Sequence, residues 1–564
     1  MPAPLLLVLL SCAKTPAPTE PPVPAAPPPP LLAFEPLDLP ADPTAATEAR
    51  VSPQAWVRGE AVTIGWQRLV EAGQVIDGEV FGEPRDITGA LLSPESGSGN
   101  CNTLDFSALM EVDGTPILVS HTECQPGGVY LARLAQDAGT GAFTVEAARP
   151  VDFSGVRGTN LNCAGQITPW GTLLSSEEYE TNARTIQPDG VDPADHQGYN
   201  LVHNYFTEGI PHVYDYGWIP EVTVKDADLA ADVAKHYAMG RFSHELGIVL
   251  PDERTVYLSD DGWSVGLYVF VADAPRDLSA GVLYAARFDG ESLRWVNLGH
   301  ATDADIAEVL ARREPAFDQL FESTERVDGA CPEGFGSVRT TWGPECLRVR
   351  EGMETLASRL ETRRYAALLG ATTELNKHEG LAYDPDLNRV YAVISSVDGG
   401  MLAADPKWDE GGPDHLGFER NVCGAILSLE IEGPQTDTAG AAIDSALLAS
   451  RFGVLTEGRP EGEACAVDAI ANPDNIAYLP GSGLLMIAED TGKHPLDTLW
   501  AADTTTGALT RVATAPHKAE VTGLQWTPDL GGFGYLTVTF QYGWRSEGPR
   551  STAGVLGPFP TLAP

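Results

Sequence analysis

Pro251-Asp252-Glu253-Arg254 leads into Thr255-Val256-Tyr257-Leu258-Ser259, and the same pattern returns three more times along the chain. Pro385-Asp386-Leu387-Asn388 precedes Arg389-Val390-Tyr391-Ala392-Val393, and Pro480-Gly481-Ser482-Gly483 precedes Leu484-Leu485-Met486-Ile487-Ala488. Pro528-Asp529, followed by glycines, precedes Tyr535-Leu536-Thr537-Val538-Thr539. Proline presets the first turn dihedral, Asp, Asn or Gly take the bends that follow, and β-branched and aromatic residues fill a pleated surface. Turn-then-strand units repeated with irregular insertions predict the blades of a β-propeller more than a sandwich. Residues 301–322 and 353–369 interrupt this pattern with helical spacing of apolar residues and read as helices inserted between strands. Arg363-Arg364 in the second of them reads as a solvated or salt-bridged helix face.

A propeller accommodates the length. The 564 residues, 43% hydrophobic and 20% charged, provide for a sizeable core within one domain of residues 46–564. The formal charge of −43 repels nucleic acid and anionic lipid headgroups, so nucleic acid is excluded as a partner. Most of the acid excess is solvated surface; only carboxylates grouped in motifs bear on function.

The N-terminus holds a short apolar run, Leu5 to Leu10, and then Ser11-Cys12. This pattern predicts a signal peptide over residues 1–12 that ends in a lipoprotein box, with Cys12 lipidated and the protein exported and anchored in a bacterial cell envelope. Residues 13–45, dense in proline and alanine, read as an extended linker that holds the domain off the membrane.

Seven cysteines remain in a compartment that favours disulfides, so one is left over. Several connectivities are open. Pairing sequence neighbours joins Cys101 to Cys124, Cys331 to Cys346 and Cys423 to Cys465, and leaves Cys163 alone. Cys163 lies in Asn162-Cys163-Ala164-Gly165, one short strand before Glu177-Glu178. A thiol framed by glycine turns near paired carboxylates is a plausible metal-ligand set.

Other acids fall beside glycines or at strand ends. They occur in Gly240-Arg241-Phe242-Ser243-His244-Glu245, Asp260-Asp261-Gly262, Lys377-His378-Glu379-Gly380, Asn472-Pro473-Asp474-Asn475 and Glu489-Asp490-Thr491-Gly492. Because the inner strands of a propeller converge on one axis, one or two ligands per blade can meet from positions hundreds of residues apart. Neither His244-Glu245 nor His378-Glu379 has the second histidine four residues on that a helical zinc site requires. No phosphate-binding Walker loop, Gly-x-Ser-x-Gly elbow or dinucleotide fingerprint occurs.

In Asn162-Cys163-Ala164-Gly165, Thr168-Pro169-Trp170, Glu177-Glu178-Tyr179-Glu180 and Gly240-Arg241-Phe242-Ser243-His244-Glu245, and in the motifs that start at Lys377, Asn472 and Glu489, the chain resembles the PhoX family of secreted bacterial alkaline phosphatases. The resemblance implies an all-β fold, a six-bladed β-propeller with short helical insertions, and a cluster of ferric iron and calcium at one end of its axis. It implies Cys163, Glu245 and Glu379 as iron ligands, and Glu177, Glu178, Asp474 and Glu489 as further ligands of the iron and calcium shell. Lys377 matches a basic position able to clamp phosphate, and Asn162 is implied as a contact to phosphate or to a ligand. Gln541 is followed by Tyr542-Gly543 where the family often has His-Pro, and no twin-arginine signal is visible.

The implied function is extracytoplasmic, metal-dependent hydrolysis of small phosphate monoesters by a monomer. A surface-anchored, non-catalytic propeller that binds its partner and uses calcium only for stability is the alternative. Cys163 weighs against it, since structural calcium has no use for a thiolate. A lactonase-like propeller with one calcium leaves the cysteine and the number of glutamates unexplained.

Overall fold

The computed structural model describes residues 31–93, 95, 101–185, 202–207, 211–542 and 549–562. Among these, six antiparallel four-stranded units follow one another. Blade 1 comprises Leu104–Val112, Thr115–Thr122, Gly128–Gln136 and Phe143–Pro150. Blade 2 comprises Gln166–Ile167, Leu173–Leu174, Ile219–Val224 and Ala231–His236. Blade 3 begins with His244–Val249, Thr255–Val265, Tyr268–Ala274 and Asp277–Asp289, and Ser292–Thr302 extends its outer edge. Blade 4 comprises Leu381–Asp384, Arg389–Ile394, Ala425–Glu430 and Arg451–Glu457. Blade 5 comprises Pro473–Leu479, Leu484–Glu489, Thr498–Asp503 and Leu509–Thr514.

Blade 6 is shared between the two ends of the chain. Glu520–Leu530, Phe533–Gln541 and Thr552–Pro560 are completed by Gly65–Glu71, which pairs antiparallel with Thr552–Pro560. The pairing ties the N-terminal and C-terminal parts of the chain into one blade. The first strand of each blade packs against the first strand of the next, and that of blade 6 packs against that of blade 1. The ring is complete, and the propeller expected from the turn pattern is present with six blades.

The four quoted turns connect the first and second strands of blades 3 to 6. Pro251, Pro385, Pro480 and Pro528 line one axial cavity of about 460 Å3, together with Phe106 and Gln166. The opposite, N-terminal ends of the inner strands are therefore gathered at the other end of the axis.

Between blades 3 and 4 the chain forms an insertion. It contains α1 (Asp303–Ala311), α2 (Phe317–Leu320), a three-stranded sheet (Phe321–Thr324, Gly336–Thr340, Gly343–Val349), α3 (Glu354–Leu360) and α4 (Thr362–Leu368). Arg363 and Arg364 on α4 are buried rather than solvated. Arg363 bridges Glu180 at 2.6 Å and Asp260 at 2.5 Å, and Arg364 bridges Glu345 at 2.6 Å and Glu361 at 2.7 Å. No helix of the described residues is long and apolar enough to cross a membrane.

The expected linker differs from residue 32 onward. Leu32–Phe34 pairs with Gln54–Val57, and Leu32 and Phe34 are buried. The apolar stretch Leu31-Leu32-Ala33-Phe34 has the surface to bury that the proline-rich tract before it lacks. The signal peptide, Cys12 and the linker up to residue 30 lie outside the described residues.

Disulfides join Cys101 to Cys124, Cys331 to Cys346 and Cys423 to Cys465, and Cys163 is the free cysteine among the described residues.

One buried clamp ties blade 2 to the insertion. His236 lies 2.8 Å from Glu221 and 3.0 Å from Asp303 of α1. Burial works to lower its pKa, but the bonds and charges of Asp303 and Glu221 outweigh it and raise the value from 6.5 to about 9. A folded value above the unfolded one stabilises fully below pH 6.5, and the contribution is lost as pH rises through about 9. The shift corresponds to about 3 kcal/mol. His236→Gln should flatten the fall of Tm between those pH values; an unchanged slope would show that the clamp does not titrate there.

Candidate metal centre

Each blade contributes a residue at or within three positions of the start of its inner strand: Asp105, Cys163, Glu245, Glu379, Asp474 and Glu520. A second set lies where the neighbouring strand ends or leaves its sheet: Glu123, Glu178, Asp261, Ser395, Asp490 and Gln541. The backbone explains how strand residues point along the axis rather than into a sheet. Pairing shifts register between Leu104 and Ser107, between His244 and Gly247, and between Pro473 and Ile476, so Asp105, Glu245 and Asp474 each sit inside an irregularity. A bulge re-aims the side chain it carries. Leu161, Tyr179, Lys377 and Asn472 all take left-handed backbone angles, φ between 41° and 48°, around the same end.

The result is two overlapping groups. Ligand atoms of Cys163, Glu178 and Glu245 lie within 4.8 Å of one another, as do those of Glu245, Glu379 and Asp474. Glu245 belongs to both. The Cys163 thiol donates to Asp105 Oδ2 at 2.9 Å, and Thr522 Oγ1 donates to Asp105 Oδ1. Asn475 donates to Asp474 at 3.0 Å and accepts from the Gly523 backbone at 3.0 Å, joining blades 5 and 6. Gln541 Nε2 donates to Glu123 at 2.9 Å, so the residue preceding the altered C-terminal motif is in contact with this region. Gly543 lies outside the described residues.

Lys377 closes the outer side. Its ammonium lies 2.6 Å from Glu379 and 3.1 Å from Asp261, and its side chain is one-third exposed, at 33%. Tyr179 donates its hydroxyl to Asp261 at 2.9 Å. Lys377, Asp261 and Tyr179 line a cavity of about 340 Å3. The larger axial cavity at the turn end contains none of the clustered acids, so the smaller one is the approach to this group.

The electrostatics follow from crowding. Burial, then the charges of Asp105 and Glu245, push the Cys163 thiol well above its usual range. Burial and neighbouring carboxylates likewise raise Glu178, Glu245, Glu379, Asp474 and Glu520. Glu123 is raised to about 8 by burial and by Asp105 and Asp490. Asp261 runs the other way: burial opposes ionisation, but Lys377 and bonds from Glu178 and Tyr179 lower it to about 2. Lys377 alone cannot compensate so many buried like charges. Bound cations fit this donor set, because they favour deprotonated carboxylate and thiolate and replace the missing positive charge.

Two expected ligands are engaged elsewhere. Glu177 forms a fully buried ion pair with Lys235 at 2.8 Å and accepts from the backbones of Gly217 at 3.0 Å and Trp218 at 3.1 Å. Glu489 accepts from Trp500 Nε1 at 2.7 Å, from the Ala471 backbone at 2.9 Å and from the Thr498 backbone at 3.1 Å, and lies 2.9 Å from His494. In each pair, Glu177-Glu178 and Glu489-Asp490, the next residue belongs to the axial set, since neighbouring residues on extended backbone point to opposite sides. Asn162 is also held within its loop, donating to Thr159 at 2.8 Å and to Ser175 and Ser176 at 3.1 Å. His378 is buried beside the Gly266 carbonyl at 3.1 Å.

Asp105, Glu123, Asp261, Asp490 and Glu520 were not singled out as ligands by sequence. The available signal was positional: an acid at the start of an inner strand or the end of its neighbour, repeated around six blades.

Comparison with known proteins agrees with this fold. The structure aligns with Pseudomonas fluorescens PhoX in complex with vanadate, a transition state analogue, with TM-score 0.60, 19% identity and coverage of 94% of this chain and 98% of that one. Kuenenia stuttgartiensis hydrazine synthase (TM-score 0.32, 12% identity, 78% and 93% covered) is far less similar. Saccharomyces cerevisiae Sqt1 (0.30, 8%, 82% and 97%) is as distant, and neither bears on function. Among curated proteins, none matches the sequence. The family model for alkaline phosphatase PhoX matches residues 133–538, from blade 1 into blade 6. The chain therefore belongs to the PhoX family of alkaline phosphatases.

Proposed function

We propose that this protein hydrolyses phosphate monoesters outside the cytoplasm, using iron and calcium held at the N-terminal ends of the inner strands. The observation that carries this is the pair of donor groups sharing Glu245, with Lys377 at the cavity beside them. Cys163, Glu178 and Glu245 offer a thiolate and carboxylates, a set suited to iron. Glu245, Glu379 and Asp474 offer only oxygen, which suits ferric iron or calcium. Asp105, Glu123 and Glu520, each raised by burial and by neighbouring carboxylates that include Asp490, form with Asp490 an all-carboxylate side suited to calcium.

When bound, the cations supply Lewis-acid charge that neutralises phosphate oxygens as the ester bond breaks. The chain's own residues do the rest. Lys377, held in place by Asp261 and Glu379, presents its ammonium to the cavity and pairs with a phosphate oxygen there. Asp261 remains ionised across the working pH range and fixes both Lys377 and the Tyr179 hydroxyl. The bulged inner strands keep the carboxylates aimed at the axis before substrate arrives, so little reorganisation accompanies reaction.

The disulfides support an exported protein. Anchoring through a lipid on Cys12 extends that reading to residues outside the described ones.

Purified protein should hydrolyse an aryl phosphate and be inhibited by orthovanadate, and a chelator should abolish turnover. Folded, metal-loaded protein without turnover would favour the non-catalytic, calcium-stabilised alternative.

A further inference from the structure

The cavity beside Lys377 has a second wall of a different chemical nature. Trp263 and Trp342 line it, and they are among the few large hydrophobic side chains left exposed, at 39% and 36%. Exposing two indoles costs hydration free energy unless something covers them in use. Their placement at one cavity, which Lys377 and Arg363 also line, is therefore informative.

The Trp263 ring is held by dedicated structure, and Trp342 sits on a hairpin that is itself fixed. Trp263 stacks on Trp408, with centroids 5.3 Å apart and planes at 22°. Trp408 is in turn covered by Arg339, 5.1 Å from the ring centroid, and by Lys407 at 4.6 Å. Gly399 lies against the pair: a Cβ there would stand 3.3 Å from Trp408 and 3.4 Å from Trp263, and its φ of +60° also favours glycine. Trp342 comes from a different element, the turn between Gly336–Thr340 and Gly343–Val349 of the insertion. That hairpin is fixed by the Cys331–Cys346 disulfide and by Glu345, which bridges Arg364 at 2.6 Å and Arg184 at 2.6 Å. Rigid aromatic walls lose little entropy on binding and select for shape.

We propose that Trp263 and Trp342 form a leaving-group subsite that selects phosphate monoesters whose alcohol carries a flat aromatic ring. The inference rests on the phosphatase reading above. The phosphate enters toward Lys377, which Asp261 holds in place, and the ring lies against the indoles. The cavity volume of about 340 Å3 is sufficient for a small ring system and not for a folded partner. Arg363 also lines the cavity but is paired with Glu180 and Asp260, so Lys377 is the cation nearest an incoming phosphate, and a cavity of this size does not suit an acidic peptide or a membrane surface.

The test compares primary-alcohol esters of similar basicity: ethyl phosphate, 2-cyclohexylethyl phosphate and 2-phenylethyl phosphate. Wild-type protein should prefer 2-phenylethyl over ethyl phosphate by about tenfold or more in kcat/KM, mainly through KM, the size expected of one stacked ring. The cyclohexyl ester should fall between them. Trp342→Ala, on an exposed turn, and Trp263→Leu should each bring the phenylethyl-to-ethyl ratio severalfold closer to one. Iron and calcium content and Tm of each variant show that it is folded and loaded.

A wild-type ratio near one with ethyl phosphate readily hydrolysed overturns the subsite and leaves the phosphatase reading intact. Equal rates for the cyclohexyl and phenyl esters also overturn it, since the walls would then be merely apolar. A ratio that neither substitution moves assigns the preference to other residues and overturns it as well. Hydrolysis of none of the three overturns the phosphatase reading and the subsite with it.

Discussion

Glu245→Gln is expected to lower both metal content and phosphate ester hydrolysis, the latter by at least on the order of 10³-fold, because bound cations supply several kcal/mol of transition-state stabilisation. Glu245 is the residue shared by the two donor groups, so its loss weakens both positions at once, whereas Glu379→Gln or Glu178→Gln touches one. The effect on stability should carry an opposite sign in the two states of the protein. Without metal, Glu245 is a buried carboxylate pushed upward by burial and by Glu379, Asp474 and Asp105, so removing its charge relieves repulsion. With metal, the same substitution removes a ligand. A chelator should therefore lower the Tm of the wild type more than that of the variant. Equal chelator shifts with wild-type metal content would show that Glu245 is not a ligand.

Lys235→Met should destabilise the protein by about 3–5 kcal/mol, the usual consequence of stranding one partner of a buried ion pair. Both side chains are fully buried, and Lys235 also donates to the Asp215 carbonyl at 2.9 Å and lies 4.7 Å from the Tyr216 ring centroid. Glu177 would then remain in the interior without its countercharge, one residue from Glu178. Adding Glu177→Gln to Lys235→Met should recover a large part of the loss, since the glutamine keeps the acceptor for Gly217 and Trp218 without a charge. Chemical denaturation of the two single variants and the double variant measures this. An unchanged midpoint in Lys235→Met would show that the pair contributes nothing.

Propeller architecture was legible in the turns at Pro251, Pro385, Pro480 and Pro528 because a proline turn followed by a β-rich run is a local signal. The closing strand Gly65–Glu71 was not, because its pairing with Thr552–Pro560 spans nearly the whole chain and leaves no local trace. The unpaired cysteine was legible by arithmetic, and the neighbour pairing that isolates Cys163 matches the structure.

At the site, motif reading brought Cys163, Glu178, Glu245, Glu379 and Asp474 into view, and these come together. It was off by one at Glu489, where Asp490 faces the crowded carboxylates and Glu489 satisfies Trp500 and two backbone amides. It did not separate Glu177 from Glu178. Which of two adjacent residues reaches the axis depends on bulges and strand-end angles, and these are set by packing between blades rather than by residue type. The buried roles of Arg363 and Arg364 were hidden for a similar reason: their carboxylate partners Glu180, Asp260 and Glu345 come from other parts of the chain.

The most direct measurement is elemental analysis of the purified protein beside its hydrolysis of an aryl phosphate, before and after chelation and in Cys163→Ala. Iron and calcium in stoichiometric amounts, with turnover lost when either chelator or Cys163→Ala removes the iron, is the predicted result. Full turnover by protein that contains no iron would contradict the mixed metal centre, and inactivity with both metals bound would contradict the enzyme reading.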